Sequence, residues 1–511
     1  MALDTILIRS TPKITPTQIA VRDTKQFKDD NGNEIFDKKA DSIGYSERKG
    51  LMTPIVMIGQ VRLPADAIKS VHVWQTELVP RISITLIDGH SVFGAGGYPL
   101  ANIITSVFIQ SPNKKLKSLA GDYLINNVSS ISLPGTSTTI YTISGDLYIP
   151  KLNGQFSRSY PNLTSKGVLQ KVADELQLGF ADNLAEADTK DKMTWIMPNY
   201  SYKSFISHIK KMAYADDSNF FDCFIDRYYT LNFINVEKMF GQDKELAKGF
   251  TTLVQTALNK NQVDPALDDD AENSPVDIVL SNYGSAKGSE SFIQDFSMIS
   301  SHGEVLVNNG LRRTVYWYDH GGNSETKGSD ADFVNFIEHY AEPLTTAAGS
   351  DGQSPHTVIL DEYANSDSIV GEWRGIDYGN AHEQYKFAHI VNDHNLKETQ
   401  KNMLKIRLDG LNANIIRGSR VAVAIFLQRE AAANAAVARK ENSEEFDPAS
   451  IETGNPIYDQ NMAAEFYDKG LSGFYYVSSI SYTYLDGKFE TEMLLARRHW
   501  ILPRPKNEIT T

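Results

Sequence analysis

The sequence is short of most of what an active site or a membrane anchor is built from. One cysteine, Cys223, occurs in 511 residues, which excludes an intrachain disulfide and leaves the fold to packing and assembly, as a reducing cytoplasm requires. Flanked by Phe221, Phe224 and Ile225, it reads as a core thiol. Positive charge is scarce: 50 Lys and Arg face 64 Asp and Glu, a net charge of -14, whereas a general nucleic-acid binder needs clustered Lys and Arg that dominate the balance. No window approaches the roughly 20 apolar residues of a membrane span. The opening MALDTILIRSTPKIT has an acid at position 4 and an apolar run of only three, the wrong pattern for a signal peptide. The chain is expected to be made and kept soluble inside a cell.

Catalytic signatures are missing too. The glycines of FGAGGYPL lack the following Lys and Ser or Thr of a phosphate loop and read as a flexible hairpin. No Gly-x-Ser-x-Gly elbow occurs, and Cys223 has no histidine nearby in sequence. His389, Asp393 and His394 in HIVNDH are a passable metal constellation, but 389 and 393 share a helix face while 394 points away, so a polar helix face is the plainer reading. His339, one residue after Glu338 and four after Asn335, reads as the wet side of a helix. Asn31-Gly32 in KDDNGNEIF suits a tight turn; the ligand spacing and distal Glu of a calcium loop are not in place. The adjacent acids Asp216-Asp217 and Glu444-Glu445 read as helix-end or loop charges. Trp74, Trp195, Trp317, Trp373 and Trp500 could form a glycan platform, yet spread over five segments they more simply anchor cores or interfaces. No catalytic, cofactor-binding or metal residue is assigned, no cofactor is expected, and the chain is read as not an enzyme.

What is there is β structure. Apolar residues at 41% and aromatics at 10% can fill several cores, and the length fits several domains. From Leu51 to Pro150 short segments alternate apolar with polar residues between Gly, Pro, Asn or Asp: PIVMIGQVRL, SVHVWQTEL, RISITLIDG, IITSVFIQ, GDYLINNVSSISL and TTIYTISGDLYI. The period then changes. Val168, Leu169, Val172, Ala173 and Leu176 share one helical face after the capping candidate Thr164 and before Gly179. Phe205, Ile206, Ile209, Met212 and Ala213 repeat that spacing, and FFDCFIDRYYTLNFINV reads as a hairpin turning near Asp226 and Arg227. QVDPALDDDAENSP looks like a solvated linker. Beyond it, RRTVYWYDH reads as a strand, and DFVNFIEHYAE and HEQYKFAHIVNDHNLKETQKNM as helical stretches.

The expected fold class is α+β, β-rich and multidomain, with two similar antiparallel β-barrel domains and an α/β domain and a mixed region between them. The segmentation is an N-terminal arm at 1–50, a first β-barrel at 51–150, a small α/β domain at 151–245 and an acidic linker at 246–275. A mixed α/β region at 276–402 follows, then a second β-barrel at 403–500 with a helical insertion at about 429–470, and a C-terminal tail at 501–511.

The second barrel is expected because strand text from Met403 can be laid over the first block at three landmarks in the same order. Asp88-Gly89 answers Asp409-Gly410, Phe108-Ile109-Gln110 answers Phe426-Leu427-Gln428, and GDYLINNV from Gly121 answers GFYYVSSI from Gly473. Copy two carries the Ala-rich REAAANAAVARKE between its second and third landmarks, an insertion loops tolerate. Two equivalent barrels per chain would let three chains present six equivalent surfaces.

This layout, with GDLYIP at 145–150 leading into TSKGVLQKVADELQLGF, then WIMPNYSYKSFISHIKKMAYADD, WRGIDYGNAHEQYKFA, LDGLNANIIRGSRVAV and LSGFYYVSSISYTYLDGKFETEMLLARR, resembles the baseplate hub protein of contractile-tailed bacteriophages, related to the hub part of type VI secretion spikes. The resemblance covers nearly the whole chain. It implies a homotrimeric, pseudo-sixfold ring that joins a hexameric tail tube to a trimeric central spike and surrounds the central channel. The implied partners are tail tube proteins, the central spike protein, other baseplate proteins, and genome DNA passing without specific binding. The implied place is the virion's tail baseplate, after assembly in the host cytoplasm. The chain stops in WILPRPKNEITT with no needle-like repeat and no fused lysozyme-like domain, as expected of a separate hub polypeptide. The competing reading is a cell-wall or glycan hydrolase with β-rich accessory domains, which needs a cleft of convergent acids within 151–245. A third is a carbohydrate-binding tail module.

Overall fold

A computed structural model of the chain describes residues 6–14, 54–59, 61–89, 103–109, 117–132, 135, 138–184, 189–216, 219–240, 277–281, 292–300, 312–319, 334–340 and 357–362, the helical positions 388, 392, 396 and 399, and residues 402–425, 468 and 471–497. It is β-rich, with few helices and several sheets.

In chain order, strand β1 is Leu7–Ser10. A first strand set follows: β2 (Ile55–Ile58), β3 (Val61–Arg62), β4 (Ile68–Gln75), β5 (Arg81–Asp88), β6 (Ile104–Ile109), β7 (Leu119–Ser132) and β8 (Thr139–Leu147). The period-2 text makes these strands one-sided: along β5, Ile82, Ile84 and Leu86 are buried while the residues between them are half-exposed.

Next come β9 (Gln155–Leu163), α1 (Ser165–Glu175), β10 (Gly179–Asp182), β11 (Met193–Ser201), α2 (Tyr202–Met212), β12 (Phe221–Ile225), β13 (Thr230–Asn235) and α3 (Val236–Phe240). Thr164 caps α1 as expected, its side chain accepting from the Gly167 amide. The helix ends before Gly179, where Gln177 turns to φ 59°. Ser201 caps α2, which buries Phe205, Ile206 and Ile209 and places Lys210 and Lys211 at its negative end. The expected hairpin is β12–β13, turning through residues 226–229. It lies in a four-stranded sheet of order β1-β10-β13-β12, so part of the stretch read as an arm supplies an edge strand.

The remaining strands are β14 (Asp277–Ser281), β15 (Phe292–Ser300), β16 (Arg312–Asp319), β17 (Val334–Tyr340), β18 (Thr357–Glu362), β19 (Asn402–Asp409), β20 (Arg420–Ala424), β21 (Gly473–Leu485) and β22 (Lys488–Ala496). One expectation is corrected here. DFVNFIEHYAE is not helical; its residues 334–340 form β17, paired antiparallel with β16, and His339 stands opposite Arg313. The β-branched and aromatic content of VNFIEHY, paired with an equally aromatic neighbour, outweighs a short helical spacing. Ala388, Asn392, Leu396 and Thr399 in the other expected helical stretch are helical.

The expectation of two separate barrels also changes. Strands from both blocks share one thirteen-stranded sheet of order β20-β14-β15-β19-β22-β21-β4-β5-β8-β7-β6-β2-β3. The sets meet where β21 pairs with β4, from Ile480 opposite Gln75 to Leu485 opposite Ser70. β20 also pairs with β21, which leads the ladder of the second set back on itself. Among the described residues no such pairing links the ends of the first set. Alternation fixes which face is buried but not which edges meet.

The two sets nonetheless have one strand order, β4-β5-β8-β7-β6 in the first and β15-β19-β22-β21-β20 in the second. Their registers coincide wherever both record a pair. Ile68 opposite Leu86 answers Ile293 opposite Leu408, and Val107 opposite Gly121 answers Val423 opposite Gly473. Both bulges recur: Lys69 and Gln294 are the extra residues of β4 and β15, and Asn126 and Ser478 those of β7 and β21. The GDYLINNV landmark is therefore in true register. The Asp-Gly landmark matches the right strands but slips: by pairing, Asp88 corresponds to Gly410, so Asp88 is buried while Asp409 is exposed. Phe426-Leu427-Gln428, and with it the remaining landmark, lies outside the described residues.

Ser478 is the one residue here with no partner in β22. Deleting it should restore one-to-one pairing, keep Ile480, Tyr482 and Tyr484 on the buried face and leave a cooperative unfolding transition followed by circular dichroism, whereas deleting the paired Ser481 should move Tyr482 and Tyr484 to the opposite face and abolish it. Ser478→Ala, which keeps the residue count, should shift stability by no more than about 0.5 kcal/mol.

Candidate assembly joint

The sequence draws three segments toward one place: the turn after β4, the β12–β13 hairpin, and the loop from Gly410 to Arg420. Backbone and side chain stitch the first two together. The Ile225 amide donates to the Leu78 carbonyl at 2.7 Å, and Gln75 Nε2 donates to the Ile225 carbonyl at 2.8 Å. Arg417 reaches from the third segment into both, donating Nη1 to the Glu77 carbonyl and Nη2 to Asp222 Oδ2 at 2.7 Å.

Asp222 is the centre of this junction. It sits in β12, a strand buried on both faces, where an isolated carboxylate would be expensive. Lys210 from α2 stands 3.3 Å from Oδ1, Tyr476 from β21 donates its hydroxyl to Oδ2 at 2.9 Å, and the Cys223 amide donates to Oδ1 at 2.9 Å. Burial works against its charge, but the Arg417 and Lys210 cations outweigh it, with the Tyr476 bond assisting, and hold the carboxyl well below its ordinary range. The Arg417 guanidinium also lies over the Phe224 ring, 5.0 Å from its centroid.

A second cation repeats the device. Arg227, in the hairpin turn, donates to the Ala413 carbonyl and lies 4.5 Å from the Tyr482 ring centroid. Arg420 donates to the Met239 and Lys238 carbonyls at the end of α3. Gly418 allows the close fit: at φ +85°, a Cβ would sit 2.5 Å from Phe224 Cζ and 2.6 Å from Ile234 Cδ1.

Besides Asp222, four described acids of 151–240 are engaged structurally: Asp191, Asp226, Asp182 and Glu175. Burial raises Asp191 and Asp226 above the usual carboxylate range, while amides of Ser165 and Tyr214 donate to the first, and amides of Tyr228 and Thr230 and the Asn232 side chain donate to the second. Asp182 pairs with Arg9 and Lys166. Glu175 accepts from Tyr160 and Tyr202 and pairs with Arg158 at 2.7 Å; burial and that carboxylate push the Tyr202 phenol up to about 12. Each carboxylate uses its lone pairs to fix neighbouring segments.

Of the residues singled out from sequence, Cys223 is buried, and burial pushes its thiol up. Trp195 is fully buried, with Nε1 donating to the Leu163 carbonyl; Trp74 stacks on His72, ring centroids 4.9 Å apart. Asp216 accepts from the Asn219 amide, and Trp317 lies in β16. The Asn31-Gly32 turn, the 93–100 glycines, Asp217, His389, Asp393, His394, Trp373, Trp500, Glu444-Glu445 and the Ala-rich insertion lie outside the described residues. Among the described residues no group of three or more His, Cys, Asp or Glu could hold a metal ion. Sequence reasoning missed Asp222, Lys210, Arg417 and Tyr476. The available signal was a lone acid inside FFDCFI.

No protein-family model matches the chain, and no curated protein matches it in sequence. Similar solved structures include the 43 kDa tail protein of prophage MuSo2 from Shewanella oneidensis, 8% identical, TM-score 0.45, covering 88% of this chain and 98% of that one. The tail protein from Neisseria meningitidis MC58 is 10% identical, TM-score 0.43, with 87% and 96% covered. An Escherichia coli component of the type VI secretion system, described as structurally similar to bacteriophage T4 tail proteins, is 8% identical, TM-score 0.35, with 88% and 79% covered. The structural neighbours are thus phage tail proteins and type VI secretion proteins.

Asp222→Asn leaves Arg417 and Lys210 facing a buried neutral amide, and should cost about 3–5 kcal/mol in chemical unfolding at neutral pH. Because the native pKa is depressed, Asp222 stabilises fully above its unfolded pKa of about 4 and loses that contribution as pH falls through the native value. The gap between wild type and Asp222→Asn should therefore narrow on acidification. Gly418→Ala, which meets a rigid ring, should cost about 1–3 kcal/mol.

Proposed function

We propose that the chain is a structural subunit of the baseplate hub of a contractile phage tail. In this reading three copies form a ring with pseudo-sixfold symmetry, which joins the hexameric tail tube to the trimeric central spike and surrounds the central channel. The observation that carries it is the doubled five-strand set, alike in order, register and both bulges, and joined edge to edge within one chain. Two equivalent sets per chain are what a threefold object needs to meet a sixfold one.

The strand sets of 51–150 and 403–500, the second completed by β15 from the 276–402 region, then act as the two repeating units of the ring. The 151–245 domain is held on the joint by Asp222 and Arg227 and braces it from outside. The acidic linker at 246–275, the mixed region at 276–402 apart from β14 and β15, the 429–470 insertion and the terminal segments at 1–50 and 501–511 apart from β1 are left for contacts with tube, spike and other baseplate proteins. A net charge of -14 suits a channel through which DNA passes without sticking. The role is one of interfaces and requires no cofactor.

Multi-angle light scattering of the purified chain, alone and mixed with the spike protein of the same tail, is expected to give a trimer in at least one condition. A strict monomer in both overturns the reading.

A further inference from the structure

Inside the chain, one edge of β21 is used twice. Residues 473–476 pair with β20, and residues 480–485 pair with β4. The counterpart of β21 is β7, which pairs with β6 through Leu119–Leu124; among the described residues its remaining length, to Ser132, has only β8 beside it. The counterpart of β4 is β15. β14 reaches only Phe292 and Ile293 of that strand, and residues 295–300 have only β19 beside them. Among the described residues, then, the chain holds one filled copy of the β21–β4 joint and the two halves of a second.

The β7 half lacks the usual protection of an exposed edge, and the β15 half carries one charge, Asp295. Residues 126–132 contain no proline and no charge, and Ile131 is 66% exposed. On β15, Met298 is 57% exposed although its partner across the ladder, Leu404, is fully buried. Its counterpart Val73, in the filled joint, is buried.

We propose that β7 of one copy of this chain pairs antiparallel with β15 of the next, in the register of the internal β21–β4 joint. That register places Ser130 opposite Met298 and Ser132 opposite Phe296. The volumes agree. The internal joint sets Tyr482 against Val73 and Tyr484 against Val71, large against small; the new joint sets small against large at the same two positions. On the other face Ser481 opposite Trp74 is answered by Ser129 opposite Ile299. The contact is heterologous and, with the threefold rotation of the hub reading, closes a ring in which joints within and between chains alternate. It deepens the hub reading, on which it rests, by naming the occupant of both edges as a second copy of the chain.

The test is a cysteine pair, Ser130→Cys with Met298→Cys, against each single variant and an out-of-register pair, Ser130→Cys with Phe296→Cys. Directly opposed residues lie about 4.5–5.5 Å apart between Cα atoms, within disulfide reach. Mild oxidation should give covalent oligomers on a non-reducing gel, at least tenfold more than in the controls. Met298→Lys should convert the oligomer to monomer in light scattering without altering the circular dichroism spectrum. An oligomer that fails to cross-link at the in-register pair, or that survives Met298→Lys, overturns the edge pairing and leaves the hub reading standing. A strict monomer, alone and with the spike protein, overturns both.

Discussion

A carboxylate buried where water cannot reach it has to be answered by the protein, and Asp222 is answered from three directions at once. Arg417 comes from the loop before β20, Lys210 from α2 and Tyr476 from β21. None of these groups can leave without stranding a charge or a lone pair in the interior. The electrostatic requirement of one side chain thereby fixes the α/β segment against the second strand set. The Arg417 bond to the Glu77 carbonyl extends that hold to the first.

Two hydrophobic clusters meet at this point: Phe224, Ile234 and Tyr476 belong to the smaller, while the larger runs on through both strand sets and the α/β segment, with Ile82, Leu169, Phe233, Leu404 and Tyr482 in it. The continuity explains how two similar strand sets can share one sheet and remain ordered relative to each other. Backbone pairing between β21 and β4 supplies direction and register, side-chain packing supplies most of the free energy, and the buried polar groups specify one arrangement among several apolar alternatives. Among the described residues, the stretches of β7 and β15 that the internal joint does not use remain exposed strand edge, a feature that monomeric proteins avoid.

Much of the fold was legible from residue order. The one-sided strands from Ile55 to Leu147, the cap Thr164, the β12–β13 hairpin and the buried Cys223 all follow from local periodicity and composition. The DFVNFIEHYAE segment failed because over seven residues an aromatic, β-branched stretch fits either period, and only its pairing with β16 decides. The duplication was visible through GDYLINNV and GFYYVSSI, which carry the bulge at Asn126 and Ser478. The Asp-Gly landmark marked the right strands out of register, since turn residues tolerate a slip while an interior bulge does not.

By itself the sequence determined which faces are apolar, where helices begin, that no disulfide contributes, and that one strand pattern occurs twice. Those properties depend on neighbours a few positions apart. Only the tertiary structure decided that the two sets meet as β21 on β4, that Asp222 is charged and shared by Lys210, Arg417 and Tyr476, and which strand edges the internal joint leaves over. These depend on partners far apart in sequence, 254 positions for Tyr476 and Asp222 and 340 for Arg417 and Glu77, and a backbone edge carries no residue signature of the strand that will occupy it.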